Sequence, residues 1–234
     1  LQEAFKLSTP PNRIECYDIS HTQGVATVGS MVVFTQGVPD KKLYRRFNIR
    51  SVSGPDDFLS MEEALTRRFK RWQAAQIETT QPKSKRDASF SFLPDLLIVD
   101  GGKGQLSRAV QVLEDFELTD RVPVVGLAKR EEEVFFPNNP ESLLLPRHSQ
   151  GFYLVQRIRD EAHRFAITAH RNRRGKLGMA SALDSIPGIG PAKRKALLQE
   201  FGSLDKIRAA NVDELSAVNG INVALAETIK ANLE

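Results

Sequence analysis

The stretch LLIVDGGKGQL, residues 96–106, decides how this chain folds. LLIVD (96–100) is a short apolar run ending in an acid, the pattern of a strand buried inside a sheet. GGKGQ then turns the chain into a helix, with Leu106, Val110 and Leu113 spaced to share one face. Open α/β sheets place their ligands at the carboxyl ends of strands, so Asp100 is a candidate functional residue.

Upstream, RIECYDI (13–19), VATVGSMVVF (25–34) and KLYRRFNI (42–49) read as three strands, an antiparallel meander with short turns. Pro55-Asp56-Asp57 predicts a helix start with acids in the first turn, followed by Phe58, Met61, Leu65 and Phe69 at helical spacing. Residues 73–94, which include PKSKRDAS, lack pattern and predict an exposed loop. Downstream, PVVGLAK (123–129) predicts a second buried strand, and EVFFP and LLLP a small hairpin joined through PNNPES. A long helix follows from about Gln150 to Arg173, with Leu154, Ile158, Ala162 and Phe165 turned inward, and RGKLGMASALD (174–184) predicts a linker. The order β-β-β-α-β-α-β, hairpin, helix predicts an α/β class with a mixed sheet flanked by helices. An RNase H-like fold has that order, as do other mixed α/β folds.

The last part of the chain changes character, to short helices with glycine turns and an internal repeat. Ile186-Pro187-Gly188-Ile189-Gly190 precedes one helix and Val218-Asn219-Gly220-Ile221-Asn222 another. In a helix-hairpin-helix, such a turn presents backbone N–H groups at a helix N-terminus, where a phosphate is favoured. Pro191 suits the first helical turn, and Lys193 and Arg194 add charge where a phosphate would sit. The second copy has Asn222 in place of the second glycine; asparagine tolerates positive φ, so the turn is expected to survive. Two hairpins in tandem predict a small all-α DNA-binding domain that positions DNA through Gly188, Ile189, Gly190, Lys193, Arg194, Gly220, Ile221 and Asn222 without reading sequence. A helical protein-interaction module is the competing reading. The expected domains are 1–176 and 177–234.

Bulk properties narrow the class. The 234 residues, 41% hydrophobic and 26% charged, suit an ordinary globular protein of one or two domains. No apolar run approaches the ~18–20 residues of a membrane span, and nothing at the N-terminus reads as a signal peptide. The start at Leu1, with no Met, is that of a piece of a longer protein. A lone Cys16 makes no internal disulfide and fits a reducing cytoplasm, so any metal site must use Asp, Glu and His. The net charge is +4, concentrated at Arg164, Arg171, Arg173, Arg174 and Lys176 and again at Lys193, Arg194 and Lys195. Such clusters attract phosphates, although a solvated helix face has the same composition.

Phosphodiester hydrolysis calls for a divalent cation to polarise the phosphate and activate water, and hard cations prefer carboxylates. Asp18 interrupts an otherwise apolar first strand, where a buried charge is costly without a partner or a metal. Paired with Asp100 on a neighbouring strand, it could share one ion. Each has a plainer reading, Asp100 as a turn or cap residue and Asp18 as a cap of the turn into His21-Thr22. DGGKG lacks the spacing and the Ser or Thr of a P-loop, which disfavours an NTPase. His163 and His170 lie on the last long helix, where a lone histidine is more often structural.

ECYDISHTQG (15–24), RRFNI (45–49), GPDDFLSMEEALTRR (54–68), LPDLLIVDGGKGQL (93–106), GLAKREEEVF (126–135) and IRDEAHRFAITAHR (158–171), with the paired hairpins, resemble the C-terminal half of the UvrC family, incision subunits of the bacterial UvrABC excinuclease. The resemblance is collinear over nearly the whole chain. It implies an RNase H-like domain that makes the 5′ incision beside a lesion in nucleotide excision repair, with Mg²⁺ or Mn²⁺ as cofactor. It implies damaged double-stranded DNA as substrate and, in the pathway, UvrA and UvrB, the latter through a segment outside this chain. The family's metal-linked residues fall on Asp18, Asp100 and His163, and a further family acid on Asp57, where capping explains the residue nearly as well. Lys103 and Gln105, beside Asp100, are expected to contact the scissile phosphate. Two alternatives stand beside this reading, a non-catalytic DNA-binding scaffold and a structure-specific resolvase on the same fold.

Overall fold

The computed structural model describes residues 1–22, 26–52, 54, 56–77, 87–128 and 133–233, excluding the side chains of 22, 26 and 169–181. Two compact units divide the chain, Leu1–Thr168 and Ala169–Glu234. The division falls inside a helix that also contains the expected boundary at 176/177.

The first unit is built on one sheet. Its strands are β1 (Arg13–Thr22), β2 (Ala26–Thr35), β3 (Val38–Pro39), β4 (Arg45–Asn48), β5 (Leu96–Asp100), β6 (Val124–Leu127), β7 (Glu133–Phe135) and β8 (Ser142–Leu144). The order is β3-β2-β1-β5-β6-β7-β8, with β4 also paired to β2. β1, β2 and β4 run antiparallel, β1, β5 and β6 parallel, and β7 and β8 return as an antiparallel hairpin. The helices are α1 (Asp57–Ile77), α2 (Lys103–Asp115) and α3 (Gln150–Asp184). This is the mixed sheet with flanking helices expected from the sequence.

Strand alternation assigns the faces of β1. Glu15, Tyr17 and Ile19 turn to α1, whose fully buried Arg68 forks onto Glu15 at 2.8 and 3.0 Å. Arg13 donates to the same carboxylate, and the Tyr17 hydroxyl donates to its second oxygen at 2.8 Å. Burial pushes the Glu15 carboxyl up, but the two guanidiniums outweigh it and hold it below the usual range. Ile14, Cys16 and Asp18 take the other face. β5 is buried at every residue, as LLIVD demands of a strand covered on both sides.

Three details depart from the sequence reading. The third strand shortens to four residues behind a 3-10 turn at Lys41–Leu43, and the two-residue β3 precedes it. Within 73–94, α1 continues to Ile77 and a 3-10 turn at Ala88–Phe90 buries Ser89 and Phe90; residues 78–86 lie outside those described. That turn is fixed by Asp87, which caps it and is ion-paired with Arg45. The expected linker 174–184 is helical, since α3 runs to Asp184. Leu177, Met179, Ala180, Ala182 and Leu183 are strong helix formers, and Gly175 and Gly178 cost only about 1 kcal/mol each against them.

The second unit holds α4 (Pro191–Phe201), α5 (Leu204–Ala209), α6 (Val212–Ser216) and α7 (Val223–Leu233). Its own core includes Leu183, Ile186, Leu197, Ile207, Leu215, Val218, Ala226 and Ile229. Among the described residues no helix is long and apolar enough to cross a membrane.

Candidate active site

The parallel pairing of β1 and β5 runs in register to Tyr17 opposite Val99. The next step brings Asp18 level with Asp100, on the face away from α1. Both are 7% exposed. From α3, His163 reaches the same place, its Nδ1 3.9 Å from Asp18 Oδ2, with the ring largely in solvent. One ligand atom from each of the three lies within 4.8 Å of the others. Two donors on opposite sides of one Mg²⁺ stand about 4 Å apart. Of three donors on one ion at most one pair is opposite and the others stand about 3 Å apart, so the group is wider than a closed coordination shell by up to roughly 2 Å, which rotation of the exposed imidazole would reduce.

The donor set fits a divalent cation. Two nearly buried carboxylates carry the charge such an ion needs, and an imidazole beside them shifts the preference from Mg²⁺ toward Mn²⁺. Their field extends into the core. The Cys16 thiol is pushed well up, first by burial and then by the charges of Asp100 and Asp18.

The position of His163 depends on how α3 docks against β4 and the turn before it. The Tyr44 ring meets Phe165 edge-on at 5.1 Å, and its hydroxyl donates to Glu161 Oε1 at 3.1 Å. Burial and the neighbouring Glu161 carboxylate push the Tyr44 phenol above its ordinary range, so it remains a donor. Arg46 lies over the Phe165 ring, 4.1 Å from its centroid, and donates to the Phe165 carbonyl at 3.1 Å. His170, further along α3, has its side chain outside those described.

Asp57 lies elsewhere. It opens α1, but the capping contacts belong to Asp56, whose Oδ1 accepts from Phe58 N and Leu59 N at 2.9 and 3.0 Å. The Asp57 carboxylate is bonded to His21 Nε2, and His21 Nδ1 contacts Thr27 Oγ1 at 2.9 Å. His21 and Asp18 are three residues apart on one strand and so turn to opposite faces. The structure thus brings Asp18, Asp100 and His163 together and sets Asp57 on the α1 side. The sequence reading saw His21 only as a turn residue. Strand alternation continued to the end of β1 is the signal that assigns it to α1.

Lys103 and Gln105 also separate. Lys103 Nζ donates to the Pro140 carbonyl at 2.8 Å and lies 5.2 Å from the Phe135 ring centroid. Gln105 is 8% exposed and folds back over Gly101, where an added Cβ would come within 1.4 Å of its amide oxygen. Gln105 therefore packs the turn that follows Asp100, and a side chain at 101 would have to displace the Gln105 amide.

In the second unit the two hairpins are near copies. Ile189 N donates to Ile186 O at 3.2 Å and Ile221 N to Val218 O at 3.0 Å. Gly188 and Gly220 both have φ of 87°, the left-handed region that favours glycine. Their packing is reciprocal. A Cβ on Gly188 would meet Leu225 at 3.1 Å, and one on Gly220 would meet Lys193 at 3.8 Å. Leu225 and Lys193 occupy equivalent places in the two repeats, so the hairpins embrace about a local two-fold axis. Lys193 Nζ donates to the Gly188 carbonyl at 3.0 Å, at the tip of the first turn. Arg194 is ion-paired with Asp184. Asn222 corrects the sequence reading: its φ is not positive, and the residue works instead as a cap. Its Oδ1 accepts from Leu225 N at 2.9 Å. The left-handed residue is the preceding glycine in both copies, so the replacement of Gly190 by Asn222 leaves the turn intact.

Residues 2–167 match the family model described as the UvrC RNAse H endonuclease domain, and residues 180–234 that of the SAM-like helix-hairpin-helix tandem. A protein named UvrABC system protein C from Parafrankia sp. (strain EAN1pec) is 46% identical over 250 residues, covering 100% of this chain and 36% of its own length. Its namesake from Mycolicibacterium paratuberculosis is 49% identical over 236 residues, covering 98% of this chain and 36% of its own length. The chain thus spans about a third of the length of these curated relatives. Among solved structures, Ciona intestinalis endonuclease V in complex with an inosine-containing DNA gives a TM-score of 0.34 at 13% identity. It covers 53% of this chain and 48% of that one, a likeness too distant to bear on function.

Proposed function

Since this chain belongs to the UvrC family, we propose that it is the part of such a protein that makes the 5′ incision beside a lesion in duplex DNA. The observation that carries this reading is the convergence of Asp18, Asp100 and His163 donor atoms within 4.8 Å, on neighbouring strands and the helix beside them.

Asp18 and Asp100 would hold a divalent ion, Mg²⁺ or Mn²⁺, with His163 as the third donor. When bound, the ion supplies Lewis-acid polarisation of the phosphate and activation of water. The protein supplies the rest. The backbone of β1 and β5 fixes the carboxylates against each other, and the Gly101–Gln105 contact fixes the turn after Asp100. The Tyr44–Phe165–Glu161 contacts hold α3 so that His163 stays beside Asp18. Asp57 acts at a distance, securing the end of β1 through His21. The hairpin turns at Gly188 and Gly220, with Lys193 at the first, would grip phosphates on either side of their local two-fold axis. UvrA and UvrB would deliver the damaged duplex to the full-length protein.

The test is nicking of a lesion-containing duplex by the full-length protein with UvrA and UvrB in Mn²⁺. Asp18→Asn or Asp100→Asn should lower the 5′ nicking rate by about a hundred-fold or more while DNA binding survives. Unchanged 5′ nicking in either variant overturns the assignment. Cleavage confined to branched DNA would instead favour a resolvase.

A further inference from the structure

Among the described residues Ser30, Ser60 and Ser89 are fully buried. Burial strips a hydroxyl of water, so a partner within the protein has to replace it. Ser60 donates to the Asp56 carbonyl, and Ser89 to the Asp87 carboxylate at 2.7 Å. The Ser30 hydroxyl has no hydrogen-bond partner among the described residues. Alanine is nearly the same size and would fill the position without leaving a donor unsatisfied. A serine kept there calls for an acceptor that it meets in another state of the site.

Register locates that acceptor. Ser30 on β2 stands directly opposite Asp18 on β1 and Arg46 on β4. Register partners project from the same face of a sheet, their Cβ atoms about 5 Å apart. Arginine only donates, whereas a carboxylate accepts about four hydrogen bonds, so Asp18 has capacity for Ser30 beside its contact with His163. A change of χ1 rotamer is enough to carry a hydroxyl across a gap of that size. α3 covers this part of the face, with His163 beside Asp18 on one flank and Phe165 against Tyr44 and Arg46 on the other. Ser30 lies beneath the helix, out of reach of substrate, so its hydroxyl acts through Asp18. A carboxylate that ligates an ion needs its orientation held, and hydrogen bonds of this kind set metal affinity by about 10–100-fold.

We propose that Ser30 is a positioning residue for Asp18. Its hydroxyl donates to one oxygen of the Asp18 carboxylate when a divalent cation occupies the site, and leaves the other oxygen turned to the ion. This rests on the reading of Asp18, Asp100 and His163 as a metal group.

The test measures Mn²⁺ binding to this chain by isothermal titration, together with the thermal midpoint of the metal-free chain. Ser30→Ala should weaken Mn²⁺ binding about tenfold. It should leave the metal-free midpoint unchanged or higher, because an unsatisfied buried hydroxyl has been removed. A purely structural serine would do the reverse, lowering the midpoint and leaving the Mn²⁺ affinity alone. Ser30→Thr keeps the hydroxyl and adds a methyl group to a filled site, so it should lower the midpoint yet bind Mn²⁺ nearly as tightly as wild type. In the full-length protein, Ser30→Ala should raise the Mn²⁺ concentration for half-maximal nicking about tenfold, with the rate recovering at saturating metal. Wild-type Mn²⁺ affinity in Ser30→Ala overturns the proposal, as does a loss in Ser30→Thr equal to that in Ser30→Ala. Failure of the metal reading is seen separately and takes the proposal with it: the wild type then binds no Mn²⁺, or binds it in a way that Asp18→Asn leaves intact.

Discussion

The imidazole of His21 is bonded to the carboxylate of Asp57, tying the last turn of β1 to the first turn of α1 on the face of the sheet that Asp18 does not use. Both side chains are partly exposed, so the pair contributes less than about 1 kcal/mol to stability. Asp57→Asn should therefore fold normally and still bind Mn²⁺, with reduced nicking because the end of β1 is less firmly held. Isothermal titration of the variant with Mn²⁺ checks this. Loss of the ion would place Asp57 among its ligands instead.

The metal group makes the opposite prediction. A ligand present at a hundred times its Kd adds about 2.7 kcal/mol to the stability of the folded state. Mn²⁺ should raise the thermal midpoint of this chain, and Asp18→Asn or Asp100→Asn should abolish the rise. His163→Ala should diminish it, because an exposed imidazole is the most replaceable of three donors. A full Mn²⁺ response in either aspartate variant would remove the ion from this site.

Glu15 and Arg68 form an ion pair with both side chains fully buried, and Arg13 and Tyr17 complete the bonding of the carboxylate. Removing Glu15 strands the buried Arg68 charge, so Glu15→Gln should cost about 3–5 kcal/mol in urea unfolding, and Arg68→Met less, because Arg13 still pairs with the carboxylate. Replacing both with apolar residues of similar size should restore most of that loss. If the double variant is no better than the singles, the contribution lies in packing and not in the charges.

These three clusters differ in how far the sequence discloses them. Asp18 and Asp100 are legible because an ionisable residue inside an apolar strand violates the burial rule, and the violation is local. His163 is not, since a histidine on an amphipathic helix violates nothing; only the family motif singles it out. Asp56 and Asp57 are adjacent, and sequence cannot say which of them caps α1 and which bonds elsewhere. The helix through 174–184 was obscured for another reason. Two glycines suggest a break, but their cost is small beside the propensity of their neighbours.

Glu63 should make the first unit acid-sensitive. Burial pushes its carboxyl up, but bonds from the Ser51 hydroxyl, the Ser51 and Arg50 backbone N–H groups and Arg67 outweigh this and hold it at about 2, against an ordinary value of 4.5. A depressed folded pKa contributes stability that is fully present above the unfolded value and lost as pH falls through the folded one. The thermal midpoint should fall between about pH 5 and pH 2. Glu63→Gln should flatten that part of the profile while lowering the midpoint at neutral pH. An unaltered profile would show that the turn after β4 does not depend on this carboxylate.

Asn222 separates the two accounts of the second hairpin. If its role were a left-handed backbone, Asn222→Gly would be the favourable exchange and would stabilise the turn. As an N-cap, its Oδ1 accepts from Leu225 N at 2.9 Å and satisfies one of the donors that α7 leaves open. Asn222→Ala should then cost about 0.5–2 kcal/mol and Asn222→Gly only a few tenths. The cost should appear first as fraying of α7, read by hydrogen exchange of the Leu225 and Ala226 amides. Because Gly188 packs against Leu225 at the first turn of that helix, fraying should also loosen the first hairpin and weaken DNA binding at both turns. Faster exchange confined to residues near 222, with the Gly188 turn unaffected, would mean that the reciprocal packing does not couple the two hairpins.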